Sequence, residues 1–431
     1  MHDDYELCVI TEMETVFANT HGRISAFDTA AGTFYNIGKL LRDVSISFGH
    51  NLDGLLIIST LPKGVRAWDR LLTEAFEQGW APTSARFTET GWVTWRHTSA
   101  PDKRIHMAVL DRLDQERTPL FQLTASAQTI TDRLLAYQKI NGALWRMTPG
   151  VSGCLGIRAV RWNGLDPAAG REPHWRWDNA PETLHGLGYP IWQRDPAPAE
   201  RHGLIYGFDI RAQYLAAMSN ARLGWGKPTH QHQPAFDPER AGYWRINAWQ
   251  CNPAAPAIID LKKIDKWGTT WVTTPAMIYF AELDIHPQII ESWTTATSSQ
   301  ILKPWAAGLR NALNTPTPGE VVPTEAIKRT YAETIGMFTV EGGSIYRPDW
   351  RDTIVDLARI NFYRKIDKAH KVLGVWPVGI YHDTVYYPGH EDDLDAITSA
   401  LGGIDERIGK FRYTGQQTAA KFLGTRDGVP R

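Results

Sequence analysis

The chain has 431 residues, more than one hydrophobic core normally supports, so we expect two or three domains. Its composition, 43% hydrophobic and 22% charged, is ordinary for a soluble globular protein. With 46 basic and 47 acidic residues the net charge is close to zero. This excludes a nucleic-acid surface that depends on a global positive field, so any such surface must be a local basic groove.

The cysteine pattern and the lack of long apolar runs indicate which cellular compartment to expect. Cys8, Cys154 and Cys251 lie far apart and have no metal-site spacing, which favours a reducing compartment, and we expect a cytoplasmic protein. The polar N-terminus has no signal-peptide pattern, and no apolar run reaches membrane-spanning length. No membrane partner is therefore expected.

The first third of the chain mixes strand and helix patterns. Alternation and β-rich composition predict strands at 5–17, throughout 22–48, and at 92–96 and 105–110, with a turn at 50–54 before an apolar run at 55–58. Helical spacing predicts helices at 66–79 and 128–144. This mixture indicates an α/β domain over residues 1–155.

The middle of the chain has weaker patterns. Residues 164–200 are rich in Pro, Trp, Gly and charge without a period, so we expect a linker over 156–202. After it the patterns predict, in order, a strand at 203–210, a helix at 212–220, an irregular stretch at 225–260, and strands or a short strand–helix pair at 271–274 and 277–283.

The last part of the chain predicts helices and one β-hairpin. Helices at 300–313 and 325–338 form a helical hairpin, and residues 351–373 carry the clearest amphipathic stripe. Residues 379–387 then read as two short strands. We expect this β-hairpin to pack on the helix at 351–373.

A carboxylate lies at the tip of the predicted β-hairpin. His382 and Asp383 supply the tight turn, and Pro388 is expected to end the second strand. Taken alone, a turn Asp is ordinarily a surface feature. Its interest comes from two other segments of the chain.

Three segments together carry residues suited to nucleotide chemistry. They hold Asp209 and Tyr214 at the end of a strand, Lys328, Tyr331 and Gly336 on a helix, and Tyr381, Asp383 and Thr384 at the hairpin tip. Two carboxylates on neighbouring strands could hold the two metal ions that nucleotidyl transfer needs, and a helix lysine could neutralise phosphates. Each residue also has a simpler explanation when taken singly, as a strand-end cap, a solvated lysine or a core tyrosine.

In this order the segments resemble motifs A, B and C of the family B DNA polymerases. The family patterns are D-x-x-S-L-Y, K-x-x-x-N-S-x-Y-G and Y-x-D-T-D, and the chain is most similar to the protein-primed branch found in bacteriophages and linear replicons. The resemblance extends over nearly the whole chain. It implies that Asp209 and Asp383 are catalytic ligands of Mg²⁺ or Mn²⁺, and that dNTPs and DNA, either primer–template or single-stranded, are partners. A terminal or priming protein is a further implied partner.

The resemblance also implies roles for other residues. The implied nucleotide-binding residues are Tyr214, which would exclude a 2′-hydroxyl, Lys328, Tyr331 and Gly336. The implied DNA- or primer-binding residues are Tyr381, Arg412 and Tyr413. The last two belong to a segment beginning at Lys410 that loosely resembles the family's K-x-Y motif and is one residue too long.

Two motifs depart from the family pattern. The second Asp of motif C, a direct metal ligand in the family, is Val385 here. Asp383 can take its place if the hairpin register shifts by two residues, which preserves side-chain facing. A His-Asp pair at the tip also resembles the family A polymerases. In motif B the family's Asn and Tyr are Ala332 and Ile335, which changes the contacts to the incoming base pair.

The N-terminal region resembles a proofreading exonuclease that has lost part of its site. Glu12 and Glu14 resemble the D-x-E motif, and Asp53 belongs to a segment similar to the second motif but one or two residues short, so the three could hold one metal ion. Gln128 falls where the third-motif Asp belongs, and Asp132 is one helical turn further on. We expect a degenerate exonuclease site and no proofreading.

The expected fold class is α/β (α+β), with an RNase H-like exonuclease-type domain followed by a right-hand polymerase palm and fingers with a reduced thumb. The expected boundaries are 1–155 for the RNase H-like domain, 156–202 for the linker, 203–295 and 341–395 for the palm, 296–340 for the fingers and 396–431 for the reduced thumb or tail. The short segment after Gly336 leaves no room for an insertion that encircles DNA, so low processivity is expected.

Two functions are compatible with these motifs. One is a nucleotidyltransferase that adds dNTPs to a primer or protein hydroxyl, and retention of Asp209, Tyr214, Lys328, Gly336 and Asp383 favours it. The other is a catalytically inactive polymerase-fold protein that binds DNA in replication or end-maintenance complexes, which the loss of the second motif C carboxylate favours.

A separate motif, His230-Gln231-His232, resembles the paired histidines of rolling-circle nickases. It lies in the stretch expected to be irregular, and no catalytic Tyr is evident near it. The nickase interpretation is therefore the weaker one.

Overall fold

The computed structural model describes residues 6–11, 14–19, 24–28, 36–49, 53–60, 68–83, 91–114, 118–122, 124–160, 172–177, 191–248, 264–315 and 321–423. The chain divides into two compact units. The first comprises residues 1–160 with 311–334, and the second comprises residues 161–310 with 335–431.

The first unit is built on one mixed β-sheet. Its strands are β1 (Leu7–Ile10), β2 (Glu14–Ala18), β3 (Ile24–Asp28), β4 (Asp53–Ile58), β5 (Trp80–Pro82), β6 (Trp92–His97) and β7 (Arg104–Val109). Its helices are α1 (Ile37–Ser47), α2 (Trp68–Glu77), α3 (Ala127–Asn141) and α4 (Pro149–Ala159). The strand order is β3-β2-β1-β4-β7-β6-β5, in which β1, β4 and β7 are parallel. The mixed α/β character expected for this region is confirmed.

Helix α1 corrects one expectation, since strands were predicted throughout 22–48. Ile37, Leu40, Leu41 and Val44 are buried and recur at three- and four-residue spacing, which is the period of a helix and not of a strand. The Asn36 side chain caps the first turn by accepting a hydrogen bond of 2.9 Å from the Lys39 N–H. Among the described residues of this interval, only β3 matches the strand prediction.

Among the described residues, the second unit contains three β-sheets and the longest helix. Its strands are β8 (Ile191–Gln193), β9 (Leu204–Ile210), β10 (Leu223–Gly224), β11 (Thr229–His232), β12 (Ala241–Asn247), β13 (Thr269–Thr273), β14 (Ile289–Thr295), β15 (Ser298–Ser299), β16 (Gly379–Tyr381), β17 (Thr384–Gly389) and β18 (Phe411–Thr418).

The later helices are α5 (Gln213–Asn220), α6 (Thr274–Glu282), α7 (Lys303–Asn314), α8 (Thr324–Met337), α9 (Pro348–Leu373), α10 (Leu394–Ala400) and α11 (Ala419–Leu423). Helices α7 and α8 each contain residues of both units. Within the described ranges, no helix is both long enough and apolar enough to cross a membrane.

A five-stranded sheet, in the order β18-β9-β17-β16-β8, carries the segments of interest. One face packs on α9, where Phe362 and Ile366 share a buried cluster with Phe208, Val385 and Tyr387. Burial of these large side chains stabilises the sheet–helix pair, because each fully buried aliphatic or aromatic side chain contributes about 1.5–3 kcal/mol. The expected packing of the hairpin on this helix is confirmed.

Three further expectations are corrected in the second unit. Pro388 does not end β17, because it pairs only with Ile205 of β9, and a residue without an N–H is tolerated where one neighbour is missing. The stretch expected to be irregular contains β11 and β12, which join β13 and β14 in a second sheet ordered β11-β14-β12-β13. The interval expected as a linker contributes β8 to the five-stranded sheet.

Candidate active site

Strand β9 brings three distant segments together at Asp209. This residue lies opposite Thr384 of β17 on one side and opposite Arg412 of β18 on the other. The Ile210 N–H donates to the Asp383 carbonyl oxygen over 3.0 Å, which ties the hairpin tip to the end of β9. The strand ends therefore meet at one place although they are far apart in sequence.

The two faces of this sheet have different chemistry. Phe208, Ile210 and Val385 point into the hydrophobic core, and Val385 is fully buried there. Successive side chains of a strand point to opposite faces, so Asp209 and Thr384 face away from that core. The residue at the position of the family's second carboxylate is thus a core residue in this chain.

The hairpin tip is a two-residue turn. Tyr381 and Thr384 form the last cross-strand pair, which leaves His382 and Asp383 as the loop. His382 has a φ of +57°, the left-handed value that tight hairpin turns use at their first position. The expected His-Asp turn is confirmed. It brings the Asp383 carboxylate, and not Val385, next to Asp209.

A second left-handed residue lies just after β9. Ala212, with a φ of +49°, precedes α5 and makes no side-chain cap. A non-glycine residue in this region costs about 1–3 kcal/mol and persists only where surrounding contacts hold it. The contacts that hold the backbone here are two hydrogen bonds of the preceding residue, Arg211. Its N–H donates to Lys410 O over 3.1 Å, and its carbonyl oxygen accepts from the Gly409 N–H over 2.8 Å.

The electrostatics of the carboxylate pair are those of two acids that share one site. Burial and the charge of Asp209 raise the pKa of Asp383 above its ordinary value. Arg412 donates from Nε to Asp209 Oδ2 over 2.8 Å and from Nη2 to the same oxygen. Asp209 Oδ1 is buried and accepts no hydrogen bond from any described residue.

This arrangement fits a divalent cation. An unsatisfied buried carboxylate oxygen beside a second carboxylate is an all-oxygen donor set of the kind that Mg²⁺ and Mn²⁺ prefer. A cation bound there would satisfy Asp209 Oδ1 and remove the repulsion that raises the pKa of Asp383. Asp209 and Asp383 are the residues that would hold it.

Comparison with solved structures supports the polymerase resemblance at the level of the fold. Phi29 DNA polymerase in its ternary complex with primer-template DNA and incoming nucleotide substrates aligns with a TM-score of 0.53 and 11% identity, over 96% of this chain and 85% of that chain. The binary complex of the same enzyme with primer-template DNA gives a TM-score of 0.50, again at 11% identity over 96% and 85%.

The chain has a DNA-polymerase-like fold. Neither a protein-family model nor a curated protein matches its sequence. A family B DNA polymerase from the archaeon Pyrobaculum calidifontis overlaps at a TM-score of 0.34 and 10% identity, over 95% of this chain and 54% of that chain, which is too distant to bear on the fold.

Within this polymerase-like fold, sequence reasoning missed Tyr386. Its ring lies on the carboxylate face of the sheet, 5.2 Å from the Phe422 ring, and burial followed by the charges of Asp209 and Asp383 raises its pKa. A Cβ on Gly207 would come within 3.3 Å of this ring and 2.6 Å of Thr414 Oγ1, so the glycine leaves room for the tyrosine. The signal that could have identified Tyr386 was Gly207, its cross-strand partner on β9, which has no side chain to fill that space.

Lys365, which lies near the same strand end beside the already noted Lys410, was also missed. Lys365 of α9 donates from Nζ to Gly409 O over 3.0 Å, and burial together with the charge of Lys410 lowers its pKa. Lys410 directly precedes β18. The signal for Lys365 was a basic residue between core positions of an amphipathic helix.

The expected DNA- and primer-binding tyrosines lie on different faces. Tyr381 follows the core residue Ile380 and therefore points to the carboxylate face. Tyr413 packs its ring 5.8 Å from Phe208 on the core face, and its hydroxyl donates to Gln416. Tyr413 and Arg412 therefore point to opposite faces of β18, because neighbouring strand residues alternate.

The motif B residues lie on α8. Lys328 and Gly336 are exposed, Tyr331 is buried, and a Cβ added to Gly336 would meet open space. Lys328 and Tyr331 belong to the first unit, whereas Gly336 and the carboxylate pair belong to the second. Tyr214 is half-buried in the first turn of α5, directly after the left-handed Ala212.

The expected exonuclease grouping does not form among the described residues, and Glu12 lies outside them. Strands β1 and β4 are parallel with Leu7 opposite Leu55, so Asp53 lies before the start of β1, whereas Glu14 lies beyond its end. At 3.3 Å per residue their backbone positions are about 20 Å apart. The motif spacing was misleading because Asp53 begins a strand and does not follow one.

Asp53 and Glu14 each have another partner. Asp53 Oδ1 lies 2.5 Å from His106 Nε2, and burial lowers the His106 pKa although Asp53 opposes this. Glu14 Oε1 accepts a hydrogen bond of 2.7 Å from the Gln128 N–H. Gln128 therefore does lie beside Glu14, as its spacing indicated, but with an amide in place of a carboxylate.

Proposed function

We propose that this chain is a nucleotidyltransferase that adds deoxynucleotides to a primer or protein hydroxyl, with Asp209 and Asp383 as its catalytic metal ligands. The observation that carries the proposal is the pairing of the two carboxylates, one of which has a buried oxygen without a hydrogen-bond donor. Phi29 DNA polymerase, whose fold is similar, is known as a complex with primer-template DNA and nucleotides. DNA and dNTPs are the corresponding partners proposed here.

The residues around the carboxylate pair have distinct roles. A bound Mg²⁺ or Mn²⁺ would supply activation of the attacking hydroxyl and neutralisation of the triphosphate. Arg412 fixes the Asp209 carboxylate through one oxygen and leaves the other for coordination. Asp383 completes the donor set from the hairpin tip.

The remaining roles follow the family resemblance. Lys328 neutralises phosphate charge, Tyr214 excludes a 2′-hydroxyl, and Tyr331 and Gly336 line the nucleotide. Tyr381 and Arg412 lie beside the primer terminus. The proposed organisation is an RNase H-like domain without proofreading, then palm, fingers and reduced thumb, with low processivity in a reducing, cytoplasmic setting.

A second candidate function is DNA binding without catalysis. Two observations favour it, namely the apolar Val385 at the position of a family metal ligand and the Arg412 guanidinium already on Asp209. In that case Arg412 replaces the cation and the fold serves replication or end-maintenance complexes.

Primer extension separates the two candidates. Purified full-length chain is incubated with labelled dNTPs, Mg²⁺ or Mn²⁺, and a panel of primed templates, alongside Asp209→Asn, Asp383→Asn and the exposed control Asp392→Asn. We expect both site variants to lose at least about a hundredfold in rate and the control to lose nothing. No incorporation by the wild type on any primer, with DNA binding retained, would establish the second candidate instead.

A further inference from the structure

A cluster of metal-ligating side chains lies on the four-stranded sheet, apart from the Asp209 and Asp383 pair. It consists of His230 and His232 on the edge strand β11 and Glu291 on the neighbouring strand β14. One potential ligand atom from each of the three residues lies within 4.8 Å of the other two. Both histidines are exposed, so the site is open to solvent.

The strand geometry places these side chains on one face. His230 and His232 are two residues apart on β11, so both rings point the same way, and the ring centroids are 4.5 Å apart. Glu291 is the direct cross-strand partner of His232. His230 stacks on Trp293 at 4.8 Å between ring centroids, which limits the ring's freedom.

Glu291 is held by an outer layer of hydrogen bonds. Its Oε2 lies 2.7 Å from His230 Nε2, and its Oε1 accepts from Arg245 Nη1 over 2.8 Å. Arg245 is held in turn by Asp265 Oδ2 over 2.8 Å and by Thr269 Oγ1 over 2.9 Å. Outer-layer contacts of this kind orient metal-bound carboxylates in known sites.

The charges also suit a cation. Arg245 carries one positive charge between two carboxylates, Glu291 and Asp265, so the group keeps a net negative charge. Although burial opposes it, hydrogen bonding to Arg245 and His230 holds the pKa of Glu291 below its ordinary value. Glu291 is therefore ionised at neutral pH.

We propose that His230, His232 and Glu291 bind a divalent transition-metal ion, with Zn²⁺ as the probe. Two imidazole nitrogens and one carboxylate suit Zn²⁺ and its neighbours, whereas Mg²⁺ prefers oxygen ligands only. Metal–ligand bonds of about 2.0–2.2 Å in a tetrahedron separate ligand atoms by roughly 3.3–3.5 Å. The ligand atoms lie within 4.8 Å of one another, so metal binding requires the side chains to adjust to that spacing, and a fourth position stays open to water or a ligand.

The simpler alternative is an ion pair between His230 and Glu291 with no metal. The two differ in their need for His232, which takes no part in that pair and packs edge-on against the His230 ring. His232→Ala therefore removes a metal ligand while it leaves the ion pair and the Arg245 network intact. This substitution is the decisive variant.

The test measures zinc retention by the full-length chain. Metal-free protein is mixed with Zn²⁺ in excess Mg²⁺, desalted, and its zinc content is measured by mass spectrometry, with binding affinity from competition against a chelating dye. We expect one zinc per wild-type chain and at least a tenfold weaker affinity in His232→Ala and Glu291→Gln. His286→Ala is the matched control, because His286 also faces a carboxylate, Asp284, at 3.2 Å but has no second histidine.

Thermal unfolding and a variant of the proposed polymerase centre provide two further tests. Zinc should raise the Tm of the wild type and not that of His232→Ala, while the two have equal Tm without metal. Asp209→Asn should retain zinc, which separates this site from the proposed polymerase centre. Equal zinc affinity in wild type and His232→Ala, or no retention by the wild type, overturns the proposal.

Discussion

Arg412 and Asp209 face each other across β18 and β9, and the guanidinium of Arg412 donates two hydrogen bonds to a single oxygen of the Asp209 carboxylate. The two carboxylate oxygens of Asp209 therefore differ, because Oδ2 accepts both hydrogen bonds and Oδ1 accepts none from the described residues. Asp209 can bind Arg412 and a cation at the same time, because Arg412 contacts Oδ2 and Oδ1 remains available to the cation.

Because Arg412 and the cation would share the Asp209 carboxylate, Arg412→Ala should change the Mg²⁺ affinity and the reaction rate in opposite directions. Removal of the positive charge should lower the half-saturating Mg²⁺ concentration several-fold, because the guanidinium no longer repels the cation. The rate at saturating Mg²⁺ should fall about tenfold, because Asp209 is no longer fixed in orientation. Primer extension over a Mg²⁺ titration measures both quantities.

Arg412→Lys is the conservative comparison for that prediction. It keeps the charge and loses the paired donors, so it should keep the wild-type Mg²⁺ requirement while its rate stays low. A variant Arg412→Ala with an unchanged Mg²⁺ requirement would contradict a role for Arg412 at the cation.

Restoring the family carboxylate by Val385→Asp should fail. Val385 is fully buried against Phe208 on the core face, so the new charge would point away from Asp209 and lack a partner. We expect a loss of about 3–5 kcal/mol in the free energy of unfolding and no gain in incorporation. Denaturant unfolding and primer extension measure these.

Val385→Asn controls for shape without charge and should be less damaging than Val385→Asp. A Val385→Asp variant as stable as the wild type and more active would show that this side chain reaches the carboxylate face, which requires a different hairpin register.

The raised pKa of Asp383 predicts a pH-dependent stability difference. For an acid whose folded-state pKa is raised, the stabilisation from the protonated form is complete below the unfolded value of about 3.9 and is lost as pH rises through the folded-state value. Asp383→Asn stays neutral and keeps that stabilisation. Without divalent cations its Tm should therefore exceed the wild-type Tm at pH 7, and the gap should close towards pH 4.

Thermal unfolding from pH 4 to 7 with chelator measures this gap, and Asp392→Asn should track the wild type throughout. Mg²⁺ should stabilise the wild type at pH 7 more than Asp383→Asn. An Asp383→Asn variant less stable than the wild type at pH 7 in chelator would contradict the carboxylate repulsion described above.

Gly336→Ala should raise the stability of the protein and lower its dNTP incorporation. A Cβ there meets open space, and alanine is favoured over glycine in a helix by about 0.5–1 kcal/mol, so the variant should be more stable. Because Gly336 is proposed to line the nucleotide, incorporation should nevertheless fall several-fold. Denaturant unfolding and the KM for dNTP measure the two effects.

Gly342→Ala is the matched control, since its Cβ also meets open space outside the motif. It should leave dNTP incorporation unchanged. A Gly336→Ala variant with wild-type kinetics would remove this part of α8 from the proposed nucleotide site.

The sequence predicts the central part of the site because its signals are local. A two-residue loop between short β-rich strands identifies the hairpin. The proximity of Asp209 to the hairpin tip is implied only by the resemblance of the two segments to motifs A and C. The strongly amphipathic α9 is equally visible. These features depend on neighbours within a few positions.

The missed features depend on register between distant segments. Asp53 and Glu14 look like one site in sequence, and only the parallel pairing of β1 with β4 reveals that they lie at opposite ends. Strand β11 has four exposed residues and no hydrophobic alternation, so its signal is absent. Arg412 reaches Asp209 through a strand pair whose members are 203 residues apart.

The position of β9 between β18 and β17 has a consequence for synthesis of the chain. At 5–20 residues per second, roughly 10–40 s separate the emergence of Asp209 from that of Arg412, which lies 203 residues later. For most of that time neither edge of β9 has its partner strand, and the edge that pairs with β18 is covered last. Unpaired apolar edges are templates for mispairing, so the strand that carries Asp209 is among the last parts of the second unit to be protected on the ribosome.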